Sequence, residues 1–124
     1  MLAFMLEEPG ADLVEEALTD VAVISAVNWA EALTKVAEIG QPPDDVAERL
    51  RTLLGDALMI EPLSPEDAPA IARLRPLPRD AGLSLGDRSC LALAQRLAQP
   101  AVTTDRAWTE LGASVGVAIR LARA

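Results

Sequence analysis

Gly82-Leu-Ser-Leu-Gly-Asp-Arg-Ser-Cys-Leu-Ala-Leu-Ala94, followed closely by Pro100-Ala-Val-Thr-Thr-Asp-Arg-Ala-Trp108, is the stretch on which the fold turns. Gly86 to Ala98 reads as the most hydrophobic helix of the chain, and Ala101 to Thr103 as a short buried strand. Asp87 then stands at the start of the helix, and Asp105 just past the strand. Parallel α/β proteins gather reactive groups at such junctions, because the carboxyl ends of their strands open into one crevice.

The same grammar runs outward from this stretch. Val21 to Ser25 is a β-branched apolar run too short for a helix. Asn28 to Ile39 follows with helical spacing at Leu33, Val36 and Ala37, stopped by Gly40. Glu31 lies in the first turn of that helix. Asp44-Asp45 caps a helix through Leu54, Leu58 to Ile60 is a strand, and Ser64 caps a helix running to about Leu74. Arg75 to Gly82, with Pro76 and Pro78, is a loop. Arg106 to Leu111 is a short helix and Val115 to Leu121 a last strand. At the start of the chain, residues 2–6 read as the tail of a helix ended by Glu7-Glu8-Pro9-Gly10, and Ala11 to Leu18 as another helix. This alternation predicts an α/β fold, a parallel sheet flanked by helices, in a single domain spanning 1–124.

Composition narrows the chemistry. The 124 residues carry a formal charge of −8 and no histidine, which removes every mechanism needing a Ser–His or Cys–His pair. Carboxylates, hydroxyls or a bound metal remain. An acidic surface repels phosphate backbones, so nucleic-acid chemistry would need cations to neutralise the site, and a basic protein partner suits the same charge. Cys90 is the only cysteine, so no disulfide or thiolate metal site is expected. The absence of a basic start before Met1-Leu-Ala-Phe-Met-Leu6 argues against a signal peptide, no apolar run approaches the ~20 residues of a membrane span, and a cytoplasmic location is expected.

Each carboxylate has a purely structural reading. Asp87 can serve as a helix-start acid, stabilising by ~0.3–1 kcal/mol through the helix dipole. Asp105 can be an N-cap. Glu31, three residues after Asn28, can complete a capping-box-like pair with it. Taken together the three acids make a stronger case, since Mg²⁺ and Mn²⁺ take oxygen ligands, usually a few carboxylates with waters. Thr103 and Thr104 offer hydroxyls beside Asp105 that would orient a metal-bound water or a turn.

Ser25-Ala-Val-Asn-Trp-Ala-Glu-Ala-Leu-Thr-Lys35, Gly82 to Ala94 and Thr103-Thr-Asp-Arg-Ala-Trp108 resemble the motifs of PIN-domain ribonucleases, and among them the VapC-like toxins of type II toxin–antitoxin pairs. The resemblance implies an endoribonuclease that cuts RNA with Mg²⁺ or Mn²⁺. By position, Glu31, Asp87 and Asp105 match three of the family's four core acids as catalytic and metal-holding residues. Asn28 and Ser25 match positions near the pocket. The resemblance also implies a homodimer and silencing by a basic antitoxin protein.

The chain departs from the family pattern at its start. Family members open with an apolar strand ending in Asp, and here Leu2 to Gly10 matches the helix and turn that follow. The expectation is therefore a domain incomplete at its N-terminus, lacking the first, central strand, with Met1 an internal methionine. Unpaired buried backbone groups would cost ~1–3 kcal/mol each, against total stabilities of ~5–15 kcal/mol, so such a chain would be unstable alone. An alternative function follows, a catalytically inactive PIN remnant acting as an antitoxin-binding or dimerisation module. A phosphotransfer regulator is a weaker third reading, because Lys35, the only lysine, lies inside a helix. Arg88 and Arg106, each after a site acid, would serve as local ion pairs or phosphate contacts.

Overall fold

In the computed structural model of the chain, residues 2–4, 22–75, 82–103 and 107–121 are described. Among these residues, five parallel strands form one sheet: β1 (Leu2–Phe4), β2 (Ala22–Ser25), β3 (Leu58–Glu61), β4 (Ala101–Thr103) and β5 (Ile119–Leu121). Their order across the sheet is β3-β2-β1-β4-β5. Helices α1 (Ala26–Glu38) and α2 (Pro43–Leu54) join β2 to β3, with a 3₁₀ turn at Gly55–Ala57. Helices α3 (Asp67–Arg73) and α4 (Leu85–Leu97) join β3 to β4, and α5 (Trp108–Val115) joins β4 to β5.

The order reverses direction between β1 and β4, and ligands of open α/β sheets bind at the strand carboxyl ends beside such a reversal. Successive strand residues point to opposite faces, and the core divides accordingly. Val23 and Ala101 pack in one apolar cluster with Ile71 of α3, Cys90 to Ala94 of α4 and Trp108 of α5. Their strand neighbours Ile24 and Val102 pack in the other with Ala32 of α1 and Leu54 of α2. The described helices thus form two layers, α1 and α2 on one face and α3 to α5 on the other. Ile24, Val23, Leu91 and Val102 are among the largest fully buried side chains, and each such burial contributes about 1.5–3 kcal/mol.

The expectation for residues 2–6 is overturned. Leu2–Phe4 is not the tail of a helix but the central strand, so the sheet does not lack its middle member. It pairs on one side with β2 (Ala3↔Val23, Phe4↔Ile24) and on the other with β4 (Ala3↔Ala101, Phe4↔Val102). The physical reason is that β2 and β4 each present a ladder edge in the middle of the sheet. Buried N–H and C=O groups there need partners, and that demand outweighs the weak local preference of three apolar residues. Met5 and Leu6 follow β1 in sequence without a carboxylate. The turn expected at Glu7–Gly10 and the helix expected at Ala11–Leu18 lie outside the described residues.

Other boundaries shift by a turn or less. Helix α1 begins at Ala26 with Ser25 as its cap, instead of at Asn28. Helix α2 begins at Pro43, without a side-chain cap from Asp44 or Asp45. Ser64 does not cap α3; it closes a turn, its N–H donating to Asp67 Oδ2 at 2.9 Å and its carbonyl accepting from Asp67 N at 3.0 Å. Helix α5 runs on to Val115, which leaves only Ile119–Leu121 to β5.

Candidate active site

The sequence at the end of β2 builds one half of the site. Ser25, the last residue of that strand, is buried, and its hydroxyl accepts from Asn28 N at 3.0 Å to cap α1. The same hydroxyl donates to Asn28 Oδ1. Asn28 is 1% exposed, and a buried amide requires partners for both of its ends. Its Nδ2 donates to the Gly86 carbonyl at 2.9 Å and to Glu31 Oε1 at 3.3 Å. Glu31 is one turn further on, on the same side of α1. The capping arrangement expected here changes accordingly: Ser25 is the cap, and Asn28 occupies the third helical position that Glu31 had been given.

The other half comes from α4. Ser84 caps this helix, its hydroxyl accepting from Asp87 N at 3.1 Å while its own N–H donates to Asp87 Oδ2 at 2.9 Å. This is a reciprocal capping box. It fixes the Asp87 side chain at the helix N-terminus, where a negative charge is favoured. The Glu31 carboxylate lies directly over Gly86, the residue before Asp87, so close that a β-carbon on Gly86 would overlap Oε1. A carboxylate from one helical layer is therefore seated on the first turn of a helix from the other, the turn that carries Asp87.

Among the residues expected from sequence, Ser25, Asn28 and Glu31 thus converge on the first turn of α4, which carries Asp87. Thr103, 1% exposed, ends β4 on the far side of the central strand. Asp105, Thr104 and Arg106 lie outside the described residues. Arg88 turns away toward α3, its Nη1 donating to the Ile71 carbonyl at 3.3 Å. Among the described residues, no three of His, Cys, Asp and Glu gather closely enough to hold a metal ion. Glu31 and Asp87 offer hard carboxylate oxygens, which fit Mg²⁺ or Mn²⁺ in kind. Cys90, one turn after Asp87, does not compete as a ligand: burial, aided by the Asp87 charge, pushes its thiol up to about 12.

Ser84 and Gly86 shape this junction, and neither is singled out by the sequence alone. Ser84-Leu-Gly-Asp87 does carry the serine-to-acid spacing of a capping box. Gly86 gives a fainter signal, a glycine inside the first turn of an apolar helix.

The model of the PIN domain family matches residues 1–113 of the chain. No curated protein sequence matches it. Among solved structures, FitAcB from Neisseria gonorrhoeae superimposes with a TM-score of 0.67 at 18% identity, covering 96% of each chain. FitAB bound to an IR36 DNA fragment superimposes with a TM-score of 0.66 at 19% identity, over 98% of this chain and 94% of that one. A toxin–antitoxin complex from Klebsiella pneumoniae gives 0.54 at 23% identity, over 77% and 75%. At these identities the likeness is one of fold.

Proposed function

Because this chain belongs to the PIN-domain family, whose members are generally nucleases, we propose that it is a divalent-metal-dependent endoribonuclease, the toxin of a toxin–antitoxin pair. The observation that carries the proposal is the docking of the Glu31 carboxylate over Gly86, next to Asp87. Carboxylate oxygens are the ligands that Mg²⁺ and Mn²⁺ take. Glu31 and Asp87 would hold Mg²⁺ or Mn²⁺, with Asp105 as the third acid. The bound ion would supply Lewis-acid activation of water and of the phosphodiester.

The chain's own residues do the rest. Asn28, with Ser25 behind it, orients Glu31. The capping box holds Asp87 in place at the positive end of α4. Thr103 stands buried at the end of β4. With a net charge of −8, the protein repels RNA until cations neutralise the site. The same charge suits a basic antitoxin, and the Klebsiella structure of similar fold is of a toxin–antitoxin complex. Homodimer formation belongs to this reading as well.

Purified protein should cleave RNA in the presence of Mg²⁺ or Mn²⁺, lose that activity to EDTA, and lose it again on Glu31→Gln or Asp105→Asn. Cleavage that persists in EDTA, or in both variants, overturns the assignment. One observation favours a second reading: β1 is followed in sequence by Met5 and Leu6 and not by an acid. A non-catalytic module would bind its antitoxin and leave RNA intact at every metal concentration.

A further inference from the structure

We infer that Asn28 and Gly86 are positioning residues that together seat the Glu31 carboxylate beside Asp87; this rests on the metal-site reading above. Asn28 reaches from α1, packed on one face of the sheet, to the first turn of α4, packed on the other. Both hydrogens of its amide are used, one on the Gly86 carbonyl and one on Glu31 Oε1, while its oxygen accepts from Ser25. Turning the amide over would set its oxygen against two acceptors, so the network admits one orientation only. The clamp therefore fixes where α1 stands relative to α4 and aims the Glu31 side chain at the gap between them.

Gly86 supplies the room. It is not among the glycines with left-handed backbone, and an α-helix favours alanine over glycine at such a position. The helix itself thus gains nothing from a glycine here. A β-carbon would overlap Glu31 Oε1 and stand 2.6 Å from Cδ and Oε2, so only a residue without a side chain lets the carboxylate settle. Glu31 is exposed and would swing into solvent if displaced, leaving the fold intact. The glycine is there for the carboxylate.

Mn²⁺ affinity, measured by electron paramagnetic resonance alongside thermal melting, tests this in the wild type and in Glu31→Gln, Gly86→Ala, Asn28→Ala and the Glu31→Gln/Gly86→Ala double variant. Gly86→Ala should melt at or above the wild-type temperature and yet bind Mn²⁺ on the order of tenfold more weakly, the loss typical of residues that orient a metal ligand. Asn28→Ala should lose affinity similarly. The double variant should bind no more weakly than Glu31→Gln alone, since both changes remove the same carboxylate. Gly86→Ala binding within about twofold of wild type, or losses that multiply in the double variant, would overturn the inference while leaving Glu31 a ligand. Equal Mn²⁺ binding by the wild type and Glu31→Gln would instead remove the metal-site reading, and the inference with it.

Discussion

At Asp87, asparagine and alanine should give different answers. Asparagine retains an oxygen able to accept from Ser84 N, so α4 keeps most of its capping box and loses only the charge, worth ~0.3–1 kcal/mol. Alanine removes the box and should cost about 1 kcal/mol or more, read as a lower melting temperature. Both variants should lose metal-dependent cleavage. An Asp87→Asn protein that cleaves like the wild type would reduce this residue to a cap. The helix starts that carry Glu31 and Asp87 were legible in the sequence because such starts can be read from local patterns. Gly86 was not, because its significance depends on a carboxylate brought to it from another helix. The capping partners went wrong for a related reason: Ser25 ends a strand and starts a helix at once, and sequence patterns do not say which residue marks the change.

At the level of elements, two helix positions make predictions. Helix α4 closes on Ala98, whose φ of 52° is left-handed. A β-carbon there costs roughly 1–2 kcal/mol, so Ala98→Gly should stabilise the protein and raise its melting temperature by a few degrees. At Gly112 of α5 the opposite holds. An added β-carbon would overlap Ile119 Cγ1 and stand 2.5 Å from the Val117 carbonyl oxygen. Gly112→Ala should separate α5 from β5 and cost about 1–3 kcal/mol as overpacking does, visible in a denaturation midpoint. The strands show why legibility was uneven. Ala22–Ser25 and Ala101–Thr103 announce themselves through buried β-branched residues, whereas Leu2-Ala3-Phe4 contains none. Its strand character comes from the two ladders that flank it, one of them formed by residues near the opposite end of the chain.

For the whole molecule, Cys90 reports on the global fold. Its thiol is pushed from 9.0 up to about 12, first by burial and then by the Asp87 carboxylate. The unfolded thiol ionises above pH 9 while the native one stays protonated, so stability from this group is complete below pH 9 and is lost between pH 9 and about 12. Stability should therefore fall on the alkaline side by up to ~1.4 kcal/mol per pH unit from this group, and Cys90→Ala should flatten that limb of the pH profile. Iodoacetamide at pH 8 should label the native protein far more slowly than the urea-unfolded one. Rapid native labelling would show that the α4 layer opens locally.

The hydrogen bond from Asn28 to Gly86 joins residues 58 positions apart. During synthesis, β2 and α1 leave the ribosome long before α4 does, and through that interval the Glu31 carboxylate has no seat. Closing so long a loop is among the slower events of folding. Through most of its length the nascent chain thus lacks the contact that seats Glu31, which forms only when the second half of the sheet arrives.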